Sequence, residues 1–241
     1  MLETALLILG AYLLGSIPSG YVIGKLAAGI DIREYGSGNV GASNVIAHVG
    51  KMTGIAQGLI LDGFLKGYAP ILLGRYILEV DLWAQCAAGI VAIVGHNWSP
   101  FIGFTGGRGV ATSMAVTLAL DFWVEMFVMG VVSAAGILFI ARDTGFWTFV
   151  SILAFPVIAL ALTNAPLALP DSLMAASGLV DKPPEFILAS VCVSLILLGK
   201  RLTANWESPR NEYGFVRVMV YRLLWDRDVP RKVEWTERRP D

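Results

Sequence analysis

Two glycine-rich polar stretches hold the residues of this chain best placed to do chemistry. The first is Tyr35-Gly36-Ser37-Gly38-Asn39-Val40-Gly41-Ala42-Ser43-Asn44, and the second is Gly103-Phe104-Thr105-Gly106-Gly107-Arg108-Gly109-Val110-Ala111-Thr112. Glycine lets a backbone turn sharply and bring its N–H groups close to an anion. The second stretch runs straight into an apolar segment, so a helix starting there would aim its free N–H groups and dipole at the same place. Arg108 adds a permanently charged planar fork that matches phosphate. A tight interhelical turn would account for either stretch alone, whereas the pair with an arginine points to an oxyanion site. His96 lies one short loop before Arg108, as a general base, a phosphate ligand or a structural imidazole. Asp62 and Lys66 are spaced i, i+4 and can pair on one helix face. No His/Cys/Asp cluster has metal-ligand spacing.

The elements that must hold these loops are membrane spans. Of 241 residues, 56% are hydrophobic and 15% charged, with mean hydropathy +0.66. Soluble domains carry roughly 25% charge, and the deficit here runs along most of the chain. Seven apolar runs recur, at residues 4–24, 54–73, 82–98, 110–120, 124–141, 146–162 and 186–199, several near the roughly 20 residues that cross a bilayer. The fourth and seventh are short. The expected fold is all-α, with seven transmembrane helices, over residues 1–199. Residues 200–241 form a charged cytoplasmic tail with helical apolar spacing at Val216, Met219, Val220, Leu223 and Leu224, suited either to the membrane surface or to the protein's own loops. Cys86 and Cys192 lie inside apolar runs and read as packing thiols. The net charge of −1 gives no reason to expect nucleic acid.

Charge orients the spans. With the N-terminus outside, 15 of the 18 Lys and Arg fall on the cytoplasmic side. Only Arg75 and Lys182 fall outside, and Lys66 lies within a span, as the positive-inside rule requires. Both glycine-rich stretches are then cytoplasmic. The loops at residues 75–81 and 164–185 face outside, and Arg142-Asp143 is a short turn between helices. In this topology Asp62 and Lys66 sit away from the cytoplasmic loops and read as an architectural pair.

Residues 12–20, the first glycine-rich stretch with the preceding residues 29–34, Asp62 with Lys66-Gly67, Gly95-His96, Pro100-Phe101 and the 106–112 stretch together resemble the bacterial acyl-phosphate glycerol-3-phosphate acyltransferase family. A weaker likeness continues from Thr144 to Ser151. The resemblance implies a seven-helix enzyme of the cell membrane and of phospholipid biosynthesis. It would transfer a fatty acyl group from acyl phosphate to the sn-1 hydroxyl of glycerol 3-phosphate, giving lysophosphatidic acid, without metal or cofactor. Its partners would be the two substrates and membrane lipids. By resemblance, Ser37 engages phosphate or the reacting carbonyl, Arg108 stands where the family has lysine, and Thr148 keeps the hydroxyl of a family serine. Asn39 and Asn44 are ligands for phosphate or hydroxyl, or else braces of the turn. The catalytic group would be Ser37, Arg108, His96 and Thr148. The substrate-binding group would be Gly36, Gly38, Asn39, Gly41, Asn44, His48, Gly106, Gly107 and Gly109.

Departures from the family pattern accompany the resemblance. Ala47 stands in place of an arginine, with His48 beside it as a substitute cation. Thr105 replaces a lysine. Leu195 to Leu198 align with a His-Arg-x-Asn segment at the end of the last span. A non-catalytic relative that binds lipid or acyl phosphate is therefore the alternative to a divergent enzyme. A small transporter rests only on Asp62 and Lys66, and no inverted repeat supports it.

Overall fold

The structure is a computed structural model that describes residues 1–163, 182–206, 208, 213–230, 234, 236 and 237. The described residues form helices and loops, with one isolated bridge between Ser99 and Thr105. In chain order the main helices are α1 (Leu2–Ser16), α2 (Ser19–Ala28), α3 (Ala42–His48), α4 (Lys51–Ala56), α5 (Ala69–Tyr76), α6 (Leu82–Asn97), α7 (Val110–Ala119), α8 (Trp123–Phe139), α9 (Thr144–Thr163), α10 (Pro184–Thr203) and α11 (Phe215–Trp225). A π-helical stretch, Gln57–Tyr68, joins α4 to α5 without a break. The seven apolar runs are thus all helical, to within a few residues of their expected ends. Three helical segments are long and apolar enough to cross a membrane: Leu2–Ala28, Thr144–Thr163 and Pro184–Trp206. Val110–Ala119 and Trp123–Phe139 are shorter apolar helices.

Packing inverts the soluble pattern, with small residues inside and large aliphatics outside. Leu7, Ala11 and Gly15 of α1 are buried four residues apart against Ala88 and Ala92 of α6, while Leu6, Leu9 and Leu13 are exposed. A side chain at Gly15 would overlap the Ala92 backbone, and one at Gly95 would overlap the carbonyl of Tyr12. Helices in lipid gain no hydrophobic drive from meeting, so close backbone approach over small residues holds them. The same device seats the π-helical stretch on α7, where a side chain at Gly67 would meet the Thr112 carbonyl. Pro18 breaks the first span. It cannot donate to the helix ladder and holds Ile17 extended, at φ −57°, ψ 118°. A second core joins α6 to α10, with Phe122 edge-on to Phe155 and Phe186 at 5.1 and 5.4 Å. Cys86 and Cys192 are free thiols, Cys86 buried, in accord with the sequence reading.

The polar helix ends sort into two groups. In one, Arg75 pairs with Asp121 at 3.0 Å, and Lys182 pairs with buried Glu125 at 2.5 Å while lying 4.2 Å from the Phe122 ring centre. The expected outer loop at residues 164–185 falls mostly outside the described residues. The other group contains both glycine-rich loops, Asp143 and the tail.

Candidate active site

Each glycine-rich stretch folds for local reasons. In the first, Asp31 accepts the Arg33 N–H at 3.1 Å and its guanidinium at 2.9 and 2.7 Å, setting a turn of 3₁₀ helix. Gly36 and Gly38 then take positive φ, at 51° and 70°. The Asn44 side-chain amide donates to the carbonyls of Ile32, Tyr35 and Asn39 at 2.9–3.0 Å, so Asn44 braces this loop from below. In the second, Ser99 pairs its backbone N–H with the Thr105 carbonyl at 2.8 Å, and its hydroxyl donates to the Ser16 carbonyl at 2.5 Å. Side chains at Gly106 or Gly107 would overlap the end of α6 at His96 and Asn97. Gly109, at φ 76°, turns the chain into α7.

The last span clasps the two loops together. Asn205 follows α10 in a left-handed conformation, φ 59°, ψ 33°. Its amide donates to Asn39 Oδ1 at 2.9 Å and to the Gly106 carbonyl at 3.3 Å, and its Oδ1 accepts the Gly106 N–H at 3.0 Å. Fully buried Lys200 donates to the same Oδ1 and to the Asn97 carbonyl. Sequence reasoning misses Lys200, Arg201 and Asn205, because it sets leucines 195–198 at the polar segment of the last span. Two adjacent cations ending an apolar helix are the available signal.

Between the loops lies a cavity of about 460 Å³, lined by Ser37, Asn39, Gly41, Asn44, Ala47, Asp62, His96, Arg108, Gly109, Thr148, Arg201 and Asp226, among others. Eight of the thirteen expected site residues line it: Ser37, Asn39, Gly41, Asn44, His96, Arg108, Gly109 and Thr148. Gly36, Gly38, Gly106 and Gly107 serve the turns and the close packing behind it. His48 is not among the lining residues: its ring lies 5.5 Å from the Tyr35 ring, and Nε2 lies 3.0 Å from the carbonyl of Thr236, which does line the cavity. Among the described residues, the arginines and lysines lining the cavity are Arg108 and Arg201.

Asp62 also corrects the sequence reading. The wider winding of the π-helical stretch, with Gly58 and Gly63 against α3 and α7, carries Asp62 under the loops. Its Oδ1 accepts Ser19 Oγ and Lys66 Nζ, both at 2.6 Å, and its Oδ2 accepts Gln57 Nε2 at 2.9 Å. Gln57 also donates to the Val40 carbonyl at 2.8 Å. His96 Nδ1 stands 3.7 Å from Asp62 Oδ1. Asp62 and Lys66 do pair, at 2.6 Å, and Asp62 lines the cavity. A carboxylate holding three such donors is a firm anchor, because hydrogen bonds to an ionised acceptor are the strong ones.

The Arg142-Asp143 turn is more than a connection, because Asp143 lines the cavity and pairs with Arg227 at 2.8 Å. Burial works against its charge. The bonds from Arg227 and the Phe146 N–H outweigh that and hold the carboxyl below its ordinary range.

Beside the polar cavity runs an apolar slot of about 350 Å³ between α7, α8, α9 and α10. Its walls include Met114, Thr117, Met126, Met129, Gly130, Ile137, Ile152 and Phe155. Val110, Met114, Thr144 and Thr148 line both spaces. A polar cavity bearing Arg108 and Arg201 thus adjoins an apolar slot between largely exposed apolar helices, the site of a membrane protein with one charged and one apolar compartment.

The chain belongs to the glycerol-3-phosphate acyltransferase family, whose model matches residues 5–205. The glycerol-3-phosphate acyltransferase of Prochlorococcus marinus (strain NATL2A) is 35% identical over 195 residues, 81% of this chain and 89% of that protein. Glycerol-3-phosphate acyltransferase 5 of Dehalococcoides mccartyi (strain ATCC BAA-2266 / KCTC 15142 / 195) is 33% identical over 234 residues, 95% of this chain and 91% of its own length. Among solved structures, the integral membrane glycerol 3-phosphate acyltransferase PlsY in its glycerol 3-phosphate form matches with TM-score 0.64 and 29% identity, over 82% of this chain and 88% of that one. Its lysophosphatidic acid form matches with TM-score 0.62 and 27% identity, over 90% of this chain and 98% of that one.

Proposed function

We propose that this protein transfers a fatty acyl group from acyl phosphate to the sn-1 hydroxyl of glycerol 3-phosphate. The observation that carries this is the continuity of the cationic cradle with the apolar slot through Val110, Met114, Thr144 and Thr148. The acyl chain lies in the slot, which places its carbonyl near Thr148 and the start of α7. Arg108, Arg201 and the N–H groups at the start of α7 take the two phosphates. Ser37 and Asn39 stand opposite, on the first loop. The sn-1 oxygen bonds to the acyl carbon, the bond from that carbon to the phosphate oxygen breaks, and phosphate leaves with the electron pair. The hydroxyl proton passes to the released phosphate or to His96. The donor is already activated, so positioning and charge stabilisation carry most of the catalysis.

The membrane arrangement belongs to the same proposal: seven spans in the cell membrane, N-terminus outside, with both glycine-rich loops and the tail cytoplasmic. The sorting of the polar helix ends into two groups supports it. The short α7, with Thr112, Ser113, Val116, Thr117 and Ala119 buried, then crosses in largely protein-lined surroundings. Residues 1–199 form the membrane unit, and residues 200–241 complete its site with Arg201, Asn205 and Asp226. Purified full-length protein given palmitoyl phosphate and labelled glycerol 3-phosphate should release lysophosphatidate and inorganic phosphate in equal amounts. Binding of both substrates without turnover would favour a non-catalytic relative, the reading that Ala47 and Thr105 support.

A further inference from the structure

The tail helix α11 ends at Asp226, in the left-handed region at φ 57°, ψ 40°, and turns that side chain into the polar cavity. Asp226 Oδ1 lies 3.0 Å from Arg108 Nε. The seat is fixed on both sides. Buried Arg222 pairs with buried Asp228 at 2.6 and 2.7 Å, Arg201 donates to the Leu223 carbonyl at 2.8 Å, and Arg227 holds Asp143 at 2.8 Å.

Among the described residues, the carboxylates lining this cavity are Asp62, Asp143 and Asp226. Asp62 is neutralised by Lys66 and Asp143 by Arg227. Asp226 instead sits on Arg108, which a substrate phosphate also needs. Arg108 has a second partner at longer range, the Lys200 carbonyl, 3.4 Å from its Nη1. A phosphate therefore cannot take the Nε edge of the guanidinium while Asp226 holds it.

We propose that Asp226 is a counter-ion supplied by the tail, seated where a substrate phosphate binds and displaced by it, so that this residue sets substrate affinity. The inference rests on the reading of the cavity as a phosphate site. Asp226 can leave by rotating its side chain, without undocking α11. The opposite role, a carboxylate that aims Arg108 at the substrate, carries the opposite sign in the experiment.

The test is orthophosphate binding to the full-length protein in detergent, by calorimetry, with Asp226→Asn. Asparagine keeps the size of the side chain and tolerates left-handed backbone. Removing a unit charge about 5 Å from a phosphate should tighten orthophosphate binding at least fourfold, even at the dielectric constant of water. Release of Arg108 from the competing carboxylate adds to that gain, so in an Arg108→Gln background the same change should give a smaller gain, limited to the direct repulsion. Unchanged or weaker orthophosphate binding in Asp226→Asn would overturn the proposal. Tighter binding in a protein that does not turn over palmitoyl phosphate would support the counter-ion and count against acyl transfer alone.

Discussion

Asn205 is the residue on which the two loops depend for their relative position, and replacing it with glycine isolates its side chain. Glycine accepts the left-handed backbone at φ 59°, where alanine would add about 1–2 kcal/mol of strain. The substitution removes the bonds to Asn39 Oδ1, the Gly106 N–H and the Gly106 carbonyl, and takes one acceptor from Lys200. Each orphaned neutral group costs about 1–3 kcal/mol, and a buried ammonium costs more. Lys200 retains the Asn97 carbonyl, and water can reach part of the rest. A loss of about 2–4 kcal/mol in transition-state stabilisation follows, or roughly 30- to 1,000-fold in kcat/KM. Asn205→Asp separates this from folding. The carboxylate keeps Lys200 and the Gly106 N–H but turns an acceptor toward Asn39 Oδ1 and adds negative charge beside the phosphate site. It should melt near wild type and yet lose activity comparably. The assay is release of lysophosphatidate from palmitoyl phosphate, with detergent melting curves alongside. A folded Asn205→Gly protein with kcat/KM within threefold of wild type would refute the clasp.

Arg108→Ala should raise KM for glycerol 3-phosphate about 10- to 100-fold, since hydrogen bonds to charged groups contribute about 1.5–3 kcal/mol. Arg108→Lys should keep part of the activity, and wild-type kinetics in the alanine variant would remove Arg108 from the site. Gly130 lines the slot, and a methyl group added there would meet no atom within 4 Å, so Gly130→Leu should shift preference toward shorter acyl phosphates, read as the ratio of kcat/KM for lauroyl and palmitoyl phosphate. An unchanged ratio would place the acyl chain elsewhere. In a background without Cys86 and Cys192, a cysteine at Glu79 should react with an impermeant thiol reagent on intact cells, and one at Gly103 should not; the reverse pattern would invert the topology.

The helices are readable because composition alone separates apolar runs from the loops between them, and their expected ends fall within a few residues of the observed ones. The two loops are readable as well, because glycine at several positions in a polar stretch has few other uses. What the spacing does not convey is depth and pairing across the chain. Counting spans sets Asp62 within a membrane helix away from the loops, whereas the structure brings it to the cavity beside Ser19, Gln57 and His96. His48 reads as a cation for the cavity because it neighbours Ala47. Successive residues on α3 point in different directions, so Ala47 lines the cavity while the His48 ring meets the tail. The charged partners of Asp143 and Asp226, Arg227 and Arg108, lie more than 80 residues away along the chain.

The departures from the family pattern look different once charge is counted in space rather than along the chain. Ala47 leaves the wall of the cavity without the arginine expected there, and His48 does not reach inside to replace it. Arg201 does reach it, from the far end of the chain, and Lys200 stands behind the clasp at Asn205. Two phosphorylated substrates repel at one site unless cations screen them. In the proposed reaction Arg108 and Arg201 would supply that screening from separate elements, the start of α7 and the end of α10. A protein that merely bound an acyl chain would need the slot. It would have no use for an asparagine and a buried lysine joining two glycine loops across a cavity, because fixing donors in advance lowers a barrier far more than it helps hold a fatty chain.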